Sequence, residues 1–228
     1  EISLGLVGSE MCIRDSMDGV IIDSESWYMD QLKEFLHSQG YDIPKKHLIE
    51  MMGLDAKGTF KKLEKYIVNQ DKIQYLFEKY LSQIQIPNYQ QIVFPHVQEC
   101  IEDIFQKDID IIIASSSPRE VIEKVLIELK LYAYISYFVG REDVQYSKPN
   151  PEIYLSILKH QNGEKPLFVV EDSTYGIQAA KQAGLKVVAY YSGKFQNDQS
   201  ESDLIITDHL QIIDIIMGGK NHDKRRTC

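Results

Sequence analysis

The C-terminal half of the chain alternates short, continuous apolar runs with segments of helical periodicity. Apolar runs without polar alternation are typical of strands that are buried on both faces, as in parallel sheets. Strands that alternate with helices predict a parallel sheet covered by helices on both faces. We therefore predict an α/β fold with a doubly wound, Rossmann-like parallel sheet. The predicted strands are 109–114, 167–170, 186–190 and a short edge strand at 204–206.

Residues 26–92 have helical periodicity and no strand signal. An all-helical block within an α/β domain is typical of an inserted domain, so we predict a helical insertion over these residues. The helices predicted in it are 27–39, 45–52, 57–68 and 72–84. The remaining domain assignments are a core domain of 17–25 and 93–218, and a frayed tail of 219–228.

Composition limits the partners that this chain of 228 residues can have. Its formal net charge of −9 disfavours binding to nucleic acid and to anionic membranes. No apolar run approaches the length of a membrane span. The three cysteines, Cys12, Cys100 and Cys228, are widely spaced and fit a reducing compartment. We expect a cytoplasmic monomer that acts on a small molecule.

Polar side chains stand at the ends of the predicted strands, where an open parallel sheet binds its ligands. Each one alone has an ordinary structural explanation as a turn, a helix cap or a solvated side chain. Together, carboxylates, a lysine and hydroxyls at neighbouring strand ends predict a site for Mg²⁺ and phosphate. The residues are Asp18, Ser115–Ser117, Lys148 and Glu171–Asp172.

The same segments carry a resemblance to a known family. The runs DGVIIDSE, IIIASSS, SKPNPEIY and VVEDSTYGIQAAKQAG are specific as a set. Over residues 17–215 the chain resembles the haloacid dehalogenase superfamily of Mg²⁺-dependent phosphohydrolases, in its β-phosphoglucomutase-like branch. The resemblance implies hydrolysis through an aspartyl-phosphate intermediate, with the helical block 26–92 as a mobile cap that closes over the site and selects the substrate.

The resemblance also implies roles for the residues at the strand ends. Asp18 would be the general acid and base that protonates the leaving oxygen. Ser115 would bind phosphate, with help from the backbone of Ser116. Lys148 would steady the charges of the nucleophile and the phosphate. The Mg²⁺ ligands would be Glu171, Asp172 and the backbone carbonyl oxygen of Asp18.

Position 16 departs from the family pattern, in which an apolar strand ends in Asp-x-Asp-Gly and the first aspartate attacks phosphorus. Here Ser16 stands in the place of that nucleophile, and 9–16 reads SEMCIRDS. Unpaired charges in a central strand cost several kcal/mol, and strand alternation turns Asp15 away from the site. The run resembles a translated sequencing adapter, so we expect 1–16 to be a non-native segment in place of the first core strand.

The resemblance implies the class of substrate and reaction. The first choice is a phosphatase of a small phosphorylated metabolite, such as a sugar phosphate. A sugar-phosphate mutase is the alternative, although Tyr28 and Ala56 stand where those enzymes carry His and Arg. A further alternative is a catalytically dead phosphate-binding protein. Cap residues predicted near the substrate are Trp27, Tyr28 and Gly53, and packing within the cap is the competing explanation for Trp27 and Tyr28.

Overall fold

The computed structural model describes residues 12–15, 17–51, 56–67, 69–163, 166–194 and 197–218, with backbone alone for 12–15 and 70. The chain divides into two compact units, with the divisions after Ile21 and after Ile92. We call residues 22–92 the helical unit and the rest the core unit. The division lies four residues before the predicted start of the cap, and α1 begins at Ser24 rather than at Trp27.

The core unit contains a sheet of six strands in which every neighbouring pair is parallel. This confirms the predicted α/β class. The order across the sheet is β3-β2-β1-β4-β5-β6. The strands are β1 Cys12–Asp15, β2 Asp110–Ala114, β3 Tyr137–Val139, β4 Phe168–Glu171, β5 Val187–Tyr190 and β6 Leu204–Ile206.

Helices account for most of the remaining described residues. In the helical unit they are α1 Ser24–Ser38, α2 Lys45–Ile49, α3 Ala56–Leu63, α4 Gln70–Gln83 and α5 Tyr89–Ile92. In the core unit they are α6 Val97–Phe105, α7 Arg119–Glu128, α8 Glu152–His160, α9 Thr174–Gln182 and α10 Leu210–Ile216.

Strand β1 occupies the centre of the sheet, between β2 and β4. Asp15 stands opposite Ile113 on one side and Val170 on the other. The strand order reverses at this point, which is where open parallel sheets form a ligand crevice at their carboxyl edge. The segment that we expect to be non-native therefore supplies the central strand, and its non-native origin stays a prediction.

The helical unit has a core of its own, built from one face of each long helix. Leu32 and Leu36 of α1 pack with Phe60, Leu63 and Leu76, all nearly or fully buried. Asp23 caps α1, because its Oδ1 accepts a hydrogen bond from the amide of Ser26 at 3.3 Å. The predicted helices 27–39, 45–52, 57–68 and 72–84 correspond to α1–α4, although α2 already ends at Ile49 and α3 at Leu63.

The sheet of the core unit is covered by small and branched side chains. Ala179 and Ala180 of α9 are fully buried and let the helix approach the valines of β4 and β5 closely. Ser173 caps α9 by accepting a hydrogen bond from the amide of Gly176 at 3.0 Å. Gly184 follows the helix with φ +72°, the left-handed conformation that glycine commonly adopts just after a helix.

The sequence pattern predicts helical spacing over 121–129, a helix after Pro151 and a helix over 177–183, which correspond to α7, α8 and α9. Strand β3 and helices α6 and α10 have no counterpart in the sequence prediction. Strand β3 has three residues, of which only Val139 is buried, so its apolar pattern is too short to detect. Helices α6 and α10 have apolar spacing that a search for helical periodicity could have found. No helix within the described ranges combines the length and the apolar character needed to cross a bilayer.

A buried histidine ties the loop after β1 to the end of the sheet. The Nε2–H of His209 donates to the carbonyl oxygen of Val20 at 2.8 Å, and the ring lies 4.3 Å from that of Tyr190. The side chain is 2% exposed. Burial lowers the pKa of His209 to about 4, which keeps the ring neutral at pH 7.

His209 should make the fold sensitive to acid. Its pKa is lower in the folded chain than the 6.5 of a free histidine, so its contribution is complete above pH 6.5 and is lost as the pH falls towards 4. We expect the free energy of unfolding to lose about 3 kcal/mol from this group between pH 7.5 and 4. We expect this part of the pH-dependent loss to be absent in His209→Gln. The free energy of unfolding is measured with urea at both pH values. The exposed His160→Gln is the control, and equal pH dependence in His209→Gln and the unmodified chain would contradict the assignment.

Candidate functional site

The turn after β1 and the serine loop after β2 meet through Asp18. The hydroxyl of Ser117 donates to Asp18 Oδ2 at 2.6 Å, a short bond of the kind formed between hydroxyls and carboxylates. Ser115 donates to the same oxygen at 3.4 Å. The amide of Ser117 in turn donates to the hydroxyl of Ser115 at 3.0 Å, which folds the loop around its own first residue. Two of the four predicted segments thus lie together.

The other two segments meet in a buried ion pair. Lys148 Nζ contacts Glu171 Oε1, and the two side chains are 8% and 0% exposed. The same ammonium group donates to the carbonyl oxygen of Ala114 at 3.3 Å. Ala114 ends β2 and Glu171 ends β4, so the lysine spans the carboxyl edge of the sheet across the central strand β1.

Glu171 has both carboxylate oxygens engaged. Its Oε1 accepts from Lys148 and from the hydroxyl of Tyr154 at 2.9 Å. Its Oε2 accepts from the amides of Asp172 and Ser173 at 3.2 and 3.4 Å, and from the Ser173 hydroxyl at 3.2 Å. A fully buried carboxylate requires this degree of pairing. Glu171 therefore anchors the lysine, and it is the last residue of β4, whereas the sequence pattern predicts it directly after that strand.

Asp172 lies against the turn that carries Asp18. A Cβ atom at Gly19 would collide with the Asp172 carboxyl group, and Gly19 has φ +82°, so only glycine fits. The backbone carbonyl oxygen of Asp172 accepts hydrogen bonds from Gln199 Nε2 at 2.8 Å and Asn197 Nδ2 at 3.2 Å. The Asp172 carboxylate is thereby brought beside the residue that follows Asp18.

The donors around Gly19 fit a hard cation in part. Mg²⁺ binds carboxylate and carbonyl oxygens, and Asp172 offers the former beside the Asp18–Gly19 backbone. Glu171 is the exception, because its oxygens are already held by neighbouring donors. Among the residues with described side chains, no group of three or more His, Cys, Asp or Glu is arranged to hold a metal ion. The Mg²⁺ site stays a prediction.

The loop that carries Ser117 is supported from β3. Arg119 donates to the carboxylate of Asp143 at 2.8 Å and to the carbonyl oxygen of Phe138 at 2.9 Å. The hydrogen bond to Asp143 raises the pKa of Arg119 above its ordinary value. The amide of Arg141 donates to the carbonyl oxygen of Ser117 at 3.0 Å. Arg119 thus holds backbone in place, whereas the buried ammonium group of Lys148 lies at the strand ends.

The other predicted site residues have varied positions. Ser116 is exposed at the tip of the serine loop. Trp27 and Tyr28 lie on α1 in the helical unit, with their rings edge to face and 5.0 Å apart. Ser16 and Gly53 fall outside the described residues, so their predicted roles stay predictions.

Several residues at the site carry no individual role in the sequence prediction. Ser117 is predicted only as part of a serine cluster, although its spacing from Ser115 could have indicated a shared face of the loop. Tyr154 and Gly176 belong to the family motifs without an assigned role. Asn197 and Gln199 contact Asp172 from 25 and 27 residues away, a separation at which no local pattern carries a signal.

Gly176 should be intolerant of alanine. A Cβ atom there would lie within 3.0 Å of the Glu171 carboxyl group, which cannot move without breaking its buried hydrogen bonds. Alanine normally stabilises a helix relative to glycine, but here we expect Gly176→Ala to lower the free energy of unfolding by about 2 kcal/mol or more. Urea unfolding measures the effect. Tyr175→Ala, at a position 64% exposed, is the control, and a stabilised Gly176→Ala protein would overturn the packing described.

Comparison with known proteins gives the site a context. The model of the haloacid dehalogenase-like hydrolase family matches residues 16–190. A relative from Thermotoga maritima named "Phosphorylated carbohydrates phosphatase" is 30% identical over 174 residues, which are 75% of this chain and 80% of the relative. "Hexitol phosphatase B" of Escherichia coli is 28% identical over 187 residues, 80% of this chain and 84% of that protein.

Solved structures show the same fold at lower identity. A haloacid dehalogenase superfamily hydrolase of subfamily IA from Geobacter sulfurreducens is 19% identical, with a TM-score of 0.69 over 90% of this chain and 96% of that one. β-Phosphoglucomutase from Clostridium difficile is also 19% identical, with a TM-score of 0.63 over 93% of this chain and 97% of that one. With the match of the family model over most of the chain, the chain belongs to the haloacid dehalogenase-like hydrolase family.

Proposed function

We propose that this protein is a Mg²⁺-dependent phosphatase of a small phosphorylated metabolite, with a sugar or polyol phosphate as substrate. The observation that carries the proposal is the meeting of Asp18 with Ser115 and Ser117 beside the buried pair of Lys148 and Glu171. The relatives named as phosphatases of phosphorylated carbohydrates and of hexitol support the substrate class.

Phosphate would be held between a hydroxyl loop and a cation. Ser115 directly follows β2, and its hydroxyl and the backbone N–H of Ser116 are the proposed donors to phosphate oxygens. Lys148 is fixed at the same strand end by its bond to the Ala114 carbonyl oxygen. A phosphoryl group in transfer carries its charge on its equatorial oxygens, so a fixed ammonium group and oriented N–H donors lower the barrier.

Asp18 is the proposed acid and base. A carboxylate at position 16 would attack phosphorus, the bond from phosphorus to the substrate oxygen would break, and protonated Asp18 would give its proton to that leaving oxygen. Water would then attack phosphorus, give a proton to Asp18 and release phosphate with the position-16 carboxylate restored. Ser117 donates to Asp18 Oδ2 at 2.6 Å, which would orient the carboxyl group for this proton exchange.

The metal would supply positive charge to the phosphoryl oxygens. Asp172 and the backbone carbonyl oxygen of Asp18 are its proposed ligands, since both belong to the cluster around Gly19. Glu171 is the third ligand implied by the resemblance. In the present geometry it holds Lys148, so we propose that it serves the metal site mainly by fixing the strand end that carries Asp172.

Ser16 makes the chain as written a poor catalyst under this proposal. A serine brings no negative charge to a metal, and its hydroxyl is a weak nucleophile without an adjacent base. The proposal therefore assigns phosphatase activity to the chain with an aspartate at position 16, and phosphate binding alone to the chain with Ser16.

Restoring the nucleophile should restore activity. We expect Ser16→Asp, combined with an apolar run at 11–15, to raise Mg²⁺-dependent phosphate release from sugar phosphates by about 100-fold or more, since a covalent route becomes available. Release is measured colorimetrically over a panel of phosphorylated metabolites. No gain on any member of the panel would refute the proposed site. Turnover of glucose 1-phosphate that requires a bisphosphate activator would identify a mutase instead.

Lys148 should be indispensable in the repaired protein. We expect Lys148→Ala to reduce kcat by about 10²–10³-fold, because a buried cation beside the transferring group is lost. Lys181→Ala is the matched control, since Lys181 forms an exposed ion pair with Asp203 at 2.9 Å and should leave kcat within about twofold. Equal activity of the two variants would exclude Lys148 from the phosphate site.

A further inference from the structure

Tyr154 has a hydroxyl group in an otherwise apolar part of the core. The side chain is fully buried on α8 and packs in the cluster that contains Ile153, Ile157, Val169 and Ile177. A hydroxyl without a hydrogen bond in such a place would destabilise the fold, and phenylalanine would fill nearly the same volume. The chemistry of the position therefore depends on what the hydroxyl contacts.

The Tyr154 hydroxyl contacts Glu171, the carboxylate that holds Lys148. It donates to Glu171 Oε1 at 2.9 Å, the same oxygen that pairs with Lys148 Nζ. The ammonium group also lies 5.3 Å from the centroid of the Tyr154 ring, within the range of a cation–π contact. One tyrosine thus contacts both members of the buried ion pair.

This arrangement limits the orientations of the Glu171 carboxylate. Its Oε2 is held by the amide and hydroxyl of Ser173, and its Oε1 by Tyr154 and Lys148. Gly176 faces the carboxyl group from α9 at a distance that leaves no room for a Cβ atom. With these directions occupied, the carboxylate holds the ammonium group at one position along the carboxyl edge of the sheet.

We propose that Tyr154 is a positioning residue, which acts through Glu171 to hold the ammonium group of Lys148 where a phosphate ligand requires it. The phosphate part of this inference rests on the proposed function. The role of Tyr154 is distinct from packing, because it belongs to the hydroxyl oxygen and would be lost in Tyr154→Phe while the ring and its apolar contacts remain.

Hydrogen exchange of the Lys148 ammonium group tests the role of Tyr154 without any ligand. An ammonium group held in a buried ion pair exchanges its hydrogens slowly and gives a ¹⁵N-detected NMR signal, which Lys148→Arg assigns by its disappearance. We expect exchange to become about tenfold faster in Tyr154→Phe, since one hydrogen bond to the charged carboxylate is removed. Tyr190→Phe is the control, because Tyr190 is equally a buried core tyrosine at 5% exposure. Unchanged exchange in Tyr154→Phe, or no protected signal in the unmodified chain, would overturn the proposal.

Binding of inorganic phosphate in the presence of Mg²⁺ tests the consequence for the site. Calorimetry on the full chain should give a Kd about tenfold weaker in Tyr154→Phe and unchanged in Tyr190→Phe. In a Glu171→Gln background the effect of Tyr154→Phe should vanish, because the residue through which it acts is altered. An effect that persists undiminished in that background would overturn the proposed route.

The two measurements separate the inference from the proposed function. If the unmodified chain binds no phosphate, the proposed phosphate site fails, and the Lys148 ammonium signal still decides the role of Tyr154. If phosphate binds equally well in the unmodified chain and in Tyr154→Phe, the positioning role fails while the phosphate site stands. Should Glu171→Gln not fold, hydrogen exchange in Tyr154→Phe decides alone.

Discussion

The buried pair of Lys148 and Glu171 is the interaction on which the rest of the core site depends. A carboxylate with no exposure to water is tolerated only when its charge and its lone pairs are matched, and this requirement recruits groups from three separate parts of the chain. Lys148 comes from the loop before α8, Tyr154 from α8 itself, and Ser173 from the start of α9. Because the lysine also reaches the end of β2, the pair joins the strands on either side of β1.

The second constraint is the close approach of backbone to the two carboxyl groups, which explains why two positions require glycine. Gly19 and Gly176 each place bare backbone against a carboxyl group, that of Asp172 in the first case and of Glu171 in the second. A side chain at either position would push the carboxylates away from the strand ends. The spacing of the charged groups is therefore set partly by the absence of Cβ atoms, which lets two adjacent acidic residues serve different purposes. Glu171 points into the protein, and Asp172 lies against the turn after β1.

Most of the fold could be predicted from the sequence, because the periodic signals are strong where burial is complete. The runs that became β2, β4 and β5 are continuous and apolar, whereas β3 is short and mostly half-buried, so nothing distinguished it from a loop. The site was predictable as a set of strand ends, because parallel strands bring their carboxyl ends to one edge. The contacts between the side chains of the site could not be predicted. Ser117 meets Asp18 across 99 residues and Tyr154 meets Glu171 across 17, and such pairings depend on packing distances that periodicity does not contain.

The role proposed for position 16 is separate from the contacts that hold the site together. The register of β1 puts its last residue, Asp15, opposite Ile113 and Val170, and position 16 is the next residue in the sequence. The described contacts of the site are made by other residues, since Ser117 holds Asp18 and Glu171 holds Lys148. Under the proposed mechanism, binding and chemical attack are therefore carried by separate groups. Under that mechanism, serine in place of aspartate at position 16 would remove the attacking carboxylate and leave both of those contacts in place. Membership of a hydrolase family and an incomplete set of catalytic groups would then be compatible in one chain.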